Sequence, residues 1–241
     1  MTAIRTARDR ARAELTREIK DEARRQLTID GPHRLSLRSV ARELGMVSSA
    51  LYRYFPSRDE LLTALIIDAY DAVGAAAEKA LARAESEADS HLARWQAVCH
   101  AVRGWALKHP HEYALIYGSP VPGYSAPQST TGPAARVGLA LFAVARDAHA
   151  AGALRPPGDG AHAPAPESVL ADARRLLDRL DVDLPEPAAA ELIAAWAQLF
   201  GLVSFELFGQ FANVTEARDA FFEHAVTRLA DGVGLVPAAP R

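Results

Sequence analysis

Apolar residues in this chain recur at spacings of three and four and do not alternate, a period that predicts helices throughout. From residue 8 to about 29, Ala11, Leu15, Ile19, Ala23 and Leu27 recur at every fourth position, giving a helix with one narrow buried stripe that Gly31-Pro32 ends. Leu37, Val40, Ala41 and Leu44 then fall at helical spacing behind Ser36, whose hydroxyl is placed to cap the first free backbone N–H groups. Gly45 follows the last periodic residue, where a left-handed conformation ends a helix at least cost. Only Met46 and Val47 intervene before a second short pattern over residues 48–55. There Leu51 and Phe55 lie four apart and pack inward, while Ser48, Ser49, Ala50, Arg53 and Tyr54 point elsewhere. Pro56 stops that helix, and Ser57 with Glu60 forms a capping box for the next.

Longer patterns follow. Leu61, Leu62, Leu65, Ile66, Ala69 and Val73 lead one continuous helix from Ser57 to about Arg83, a lever joining the N-terminal base to the rest of the chain. Leu92, Trp95, Val98, Val102 and Trp105 mark a helix that stops at His109-Pro110, and residues 111–117 form a short one. Residues 118–133, rich in Gly, Pro, Ser and Thr, read as a loop. Val137, Leu141, Val144 and Ala148 then face inward along a helix over 134–150 that Gly152 stops, and residues 155–166, which include His162, have the composition of a disordered segment. Residues 167–180 make an amphipathic helix. Over 187–211 apolar residues point all round the wheel, so one face asks for cover from a second subunit. A last helix, 216–233, adds Phe221, Phe222, Val226 and Leu229. The expectation is an all-α protein of about nine to ten helices: a three-helix domain over residues 1–56, then a larger helical domain over 57–241 with loops near 118–133 and 152–166.

Composition agrees with this and narrows the setting. With 241 residues, 49% of them hydrophobic, the chain can bury a real core, and the alternating Val, Ile and Thr runs of strands are missing. No apolar run reads as reaching the roughly 18 residues that cross a bilayer, and the N-terminus is charged, so a cytoplasmic protein with no membrane partner is expected. The single Cys99 cannot form an internal disulfide and suits a reducing compartment. Net charge is −3, yet residues 1–60 hold 13 Lys and Arg against 9 Asp and Glu, leaving the rest of the chain negative. A positive base and a negative body suit a molecule that approaches phosphates with one end.

Residues 36–62 carry the most specific signal. Serines and an alanine leading the second short helix would let it approach base edges in a major groove roughly 12 Å wide. The series Leu37, Val40, Ala41, Leu44, Gly45, then Leu51, Tyr52, Tyr54, Phe55, then Glu60, Leu61, Leu62 resembles the helix-turn-helix of the tetracycline-repressor (TetR) family. Val47 stands where that family usually has a capping Ser or Thr, which leaves Ser48 as the substitute cap. Residues 103–122 resemble a helix-Pro-helix corner in body domains of some members. Residues 196–206, WAQLFGLVSFE, resemble a W-x-x-x-H-G body subtype, with Phe200 in place of the histidine, whose role is therefore not carried over.

The resemblance implies a homodimeric, ligand-responsive repressor reading a palindromic double-stranded operator. It maps DNA contacts onto Ser48, Ser49, Ala50, Tyr52, Arg53 and Tyr54. Arg38 opens the preceding helix, and Ser36 and Arg58 sit at helix N-termini near where phosphates would lie. An Arg-rich arm, Arg5, Arg8, Arg10 and Arg12, is a further phosphate candidate. The resemblance also implies an effector pocket, for which the inward residues Trp95, Cys99, Val102, Tyr113, Tyr117, Leu141 and Trp196 are candidates and suggest an apolar or aromatic ligand. Phe205, Phe208, Phe221, Phe222 and Leu229 are the expected dimer interface. The alternative is a DNA-binding regulator whose body only dimerises and takes no effector. No nucleophile motif, phosphate loop or dinucleotide fingerprint occurs, and His100, His109 and His111 lack metal-ligand spacing, so no enzyme, cofactor or metal site is expected.

Overall fold

A computed structural model describes residues 7–87, 90–155 and 165–235. Ten α-helices and two 3-10 turns account for their regular structure: α1 (Ala7–Asp30), a 3-10 turn (Pro32–Arg34), α2 (Leu37–Glu43), α3 (Ser48–Leu51), α4 (Arg58–Ser86), α5 (His91–Lys108), α6 (Pro110–Tyr117), a second 3-10 turn (Gln128–Thr130), α7 (Thr131–Ala150), α8 (Glu167–Leu180), α9 (Glu186–Leu207) and α10 (Arg218–Val233). No strand forms among the described residues; the one β feature is an isolated bridge between Leu154 and Leu235. The chain divides into two compact units, one of Met1–Tyr70 with His109–Thr131, the other of Asp71–Lys108 with Gly132–Arg241. Helix α4 contributes to both.

In the first unit, Ile19, Ala23 and Leu27 of α1, Leu37, Val40 and Ala41 of α2, Leu51 of α3 and Leu61, Leu62 and Leu65 of α4 share one core. Full burial of each Leu or Ile contributes about 1.5–3 kcal/mol. The α1 stripe packs from Leu15 onward, because Ala11 stays exposed. Beside it, Lys20 Nζ donates to both Asp68 oxygens at 2.8 and 2.9 Å, and Arg24 Nη2 donates to the same carboxylate at 2.5 Å while its Nε lies 3.7 Å from Glu112. This charge cluster joins α1, α4 and α6.

The caps differ from expectation at two of three places. Ser36 occupies the N-cap of α2 in extended backbone, but its hydroxyl makes no capping bond; the Ser36 carbonyl alone accepts, from Val40 N. Val47, not Ser48, is the N-cap of α3, again without a side-chain cap, and Ser48 is the first helical residue. At Ser57 the expected box forms in part, since Oγ accepts from Glu60 N at 3.1 Å. Gly45 takes φ +64, as the tight turn after α2 requires.

In the second unit, α9 packs against α5, α8 and α10. Leu192, Ala195, Leu199 and Val203 form its buried stripe. By length and composition α9 is apolar enough to cross a membrane, contrary to the expectation that no stretch of the chain is, because its alanines extend the apolar run. The inward stripe accounts for part of that apolarity; 39% of the apolar stretch is buried. The helix stops at Leu207 and not Phe211, because Gly209 takes φ +78 and Gln210 N returns to the Phe205 carbonyl at 2.9 Å. Likewise α7 starts at Thr131, so the preceding loop is shorter than 118–133; Pro133 fits the first turn, where its missing N–H has no partner to lose. Most of the segment expected to be disordered, residues 156–164 with His162, lies outside the described residues, as does Arg5.

Candidate nucleic-acid interface

The site is built from α2, the turn at Gly45 and α3. Leu51 and Phe55 anchor α3 in the core, as their spacing predicts, but regular helix lasts only four residues. Tyr52, Arg53 and Tyr54 continue as turns, held by Tyr54 N to the Leu51 carbonyl at 2.8 Å and Phe55 N to the same carbonyl at 3.1 Å. Ser49, Tyr52 and Arg53 are exposed, Ser48 and Ala50 half-buried. On α2, Arg38 is exposed; Arg42, also exposed, reaches Ser39 and Glu43.

The two tyrosines separate in role. Tyr52 is 41% exposed, whereas Tyr54 packs against the core and carries the Arg12 guanidinium over its ring at 5.1 Å. Arg58 departs further from expectation. Its Nη2 donates to the Pro32 carbonyl at 2.8 Å and its Nε to the Leu35 carbonyl at 3.2 Å, with Nη1 at 3.3 Å from Asp59. The guanidinium therefore ties the connection between α1 and α2 to the start of α4, work that a residue at a helix N-terminus does not announce in sequence. Val47, 70% exposed at the front of α3, was not among the expected contacts. The only sequence signal for it is an apolar residue where a cap is usual.

The pocket candidates fall in both units. Tyr113, fully buried, and Tyr117, half-buried, belong to the first, their rings 5.0 Å apart, with Tyr70 edge-on to Tyr117 at 5.9 Å. Burial raises the Tyr117 phenol well above its ordinary range. Trp95, Cys99, Val102 and Leu141 are fully buried in the second unit. Trp95 Nε1 donates to the Val226 carbonyl at 3.0 Å, and burial, with Glu223 adding, pushes the Cys99 thiol well up, which disfavours the thiolate. Trp196 is 36% exposed, so the inward placement fails: it lies one position past the α9 stripe residue Ala195 and meets Phe200 edge-on at 5.9 Å.

Of the expected interface residues, Phe205, Phe208 and Phe221 are exposed and Leu229 is half-buried. Phe222 instead turns inward at 2% exposure, under the Arg103 guanidinium at 5.0 Å and beside His100 at 5.3 Å. Arg103 is itself held by Glu206, Nε to Oε2 at 2.6 Å and Nη2 to Oε1 at 2.7 Å, and by Asp219 at 2.7 Å. Phe211 sits edge-on to both Phe205 and Phe221, at 5.8 and 5.4 Å.

A short helix presented by a glycine turn, anchored through Leu51 and Phe55 and offering small and cationic side chains outward, defines a helix-turn-helix DNA-binding protein. Residues 19–65 match the family profile described as bacterial regulatory proteins, tetR family, and residues 95–229 match the tetracyclin repressor-like C-terminal domain. An HTH-type transcriptional regulator of Mycobacterium tuberculosis is 41% identical over 202 residues, which cover 83% of this chain and 84% of that one. The crystal structure of the regulatory protein SCO4313 aligns with a TM-score of 0.73 at 35% identity, covering 94% of this chain and all of that one. PfmR of Thermus thermophilus, a TetR family transcriptional regulator, shares the fold at a TM-score of 0.54 and 19% identity over 90% of this chain and 96% of its own. The chain belongs to the TetR family of DNA-binding transcriptional regulators. It is a regulator and not an enzyme.

Proposed function

We propose that this regulator is a homodimeric repressor that binds a palindromic operator in the cytoplasm and releases it when an apolar or aromatic small molecule binds the helical domain of residues 57–241. The observation carrying this reading is the exposed apolar surface of α9, its continuation and α10, where Ile193, Phe205, Phe208 and Phe221 face solvent in the single chain. Aromatic residues so grouped are the material of a buried interface. A two-fold axis through that surface gives the molecule two copies of α3, and paired recognition helices read paired half-sites. Ser36, Arg38, Ser48, Ser49, Ala50, Tyr52 and Arg53 are assigned to DNA; Tyr54 and Arg58 position the others. Small-molecule response and dimerisation are typical of the family.

The other reading, a body that dimerises without an effector, draws support from Trp95, whose indole N–H is already committed to Val226 within a fully buried set. Thermal-shift screening against small aromatic and apolar compounds, followed by operator titration, separates the two. A compound that raises the melting temperature and weakens operator binding supports the effector reading, because a ligand that favours the released state must stabilise the protein it binds. Compounds that leave both unchanged across the screen give the dimer-only reading.

A further inference from the structure

We infer that Val47 reads the methyl group of a thymine in each half-site, an inference that rests on the DNA-binding reading of α3 and deepens it. Two local costs meet at this residue and the folded unit recovers neither. As N-cap of α3 its carbonyl accepts from Ala50 N at 2.9 Å but it has no side-chain oxygen to cap a further N–H of the first turn, and as a β-branched apolar side chain it is 70% exposed to water. Met46 beside it packs against the core, and Leu51 and Phe55 are buried, so the hydrophobic anchoring of this turn is complete without Val47. Breaches of local rules that the fold does not compensate fall at functional positions.

The surroundings identify the function. Val47 is followed by Ser48, Ser49 and Ala50, three small residues that leave it the bulkiest side chain at the front of α3 and allow close approach to a groove floor. The apolar group that B-DNA presents in the major groove is the thymine C5 methyl. Val47 holds an extended backbone, φ −70 and ψ 136, and its branched side chain has few rotamers, so contact with a methyl costs little ordering. A serine in its place would cap the helix but would offer no apolar surface to the base.

The test uses the full-length protein and duplexes selected by it from a random pool. Each thymine of the selected half-site is replaced singly by deoxyuridine, which removes only the methyl, and affinities are measured for wild type, Val47→Ala and Val47→Ser. For wild type, one thymine per half-site should lose about fourfold on replacement, the worth of one buried methyl group. Both variants should bind thymine and deoxyuridine duplexes equally at that position. Val47→Ser should melt no lower than wild type, which separates base reading from a fold defect. Equal deoxyuridine sensitivity in wild type and Val47→Ala, or a selected half-site with no fixed thymine, would overturn the inference while leaving DNA binding intact. Failure to enrich any duplex would remove the DNA reading of α3 and this inference with it.

Discussion

Arg58 shows how much a single side chain's partners change its meaning. From its sequence position it is a phosphate neighbour; in the folded unit two of its donors are committed to the carbonyls of Pro32 and Leu35. Hydrogen bonds from a charged group contribute roughly 1.5–3 kcal/mol each. Arg58→Ala should therefore lower stability by about 2 kcal/mol in urea unfolding, while the salt dependence of operator binding keeps its slope; a slope reduced by about one would restore the phosphate role. The tyrosines make a paired prediction. Tyr52→Ala should weaken operator binding about tenfold with little change in melting temperature, the size expected for one base-edge contact of about 1–3 kcal/mol. Tyr54→Ala, which removes a packed ring and the seat of Arg12, should act first on melting temperature. Equal loss of affinity from both at unchanged stability would contradict the separation.

Within the second unit, α4 and α7 meet at a glycine. A Cβ on Gly74 would lie 2.7 Å from Arg136 Cβ and 2.9 Å from its Cδ and Nε, so the glycine lets Arg136 lie across α4. There Arg136 donates to Glu78 at 2.8 and 2.6 Å and to Asp71 Oδ1 at 2.8 Å. Gly74→Ala should cost about 1–3 kcal/mol in urea unfolding, the range for overpacking, despite alanine's better helix propensity. The same pair predicts a pH effect. The Arg136 hydrogen bonds hold the Glu78 carboxyl below its ordinary range, so its contribution is complete above the unfolded glutamate value of ~4.3 and disappears as pH falls through the lower folded value. Glu78→Gln should flatten the acid side of a melting-temperature profile and leave its alkaline side in place. A parallel downward shift at every pH would assign the residue to packing instead.

For the chain as a whole, the decisive contrast is between two phenylalanines, one on α9 and one on α10. Phe205 is 54% exposed and Phe222 2% exposed, though both lie in the apolar C-terminal region expected to dimerise. Phe205→Asp should yield folded monomers in sedimentation with much reduced operator affinity. Phe222→Asp should fail to fold, because it places a carboxylate in the core under Arg103 and His100. A Phe205→Asp protein that stays dimeric would remove this surface from the interface.

Much of this architecture was legible from periodicity. The long stripes of α1, α4 and α5 and the stops at Gly31-Pro32, Gly152 and His109-Pro110 follow from backbone sterics and side-chain spacing, which act within a few residues. So the helical class, the order of helices and the glycine turn before α3 could be read residue by residue. The rest depends on groups far apart in the chain. Arg58 reaches carbonyls 23 and 26 residues away, Trp95 reaches one 131 away, and Phe222 lies under Arg103, 119 positions earlier in the chain. No local pattern distinguishes a side chain that faces a neighbouring helix from one that faces water when both sides of the helix are apolar, as in α9. Trp196 outward, Phe222 inward and Val47 at the front of α3 were therefore decided by packing, since burial belongs to the assembled surface.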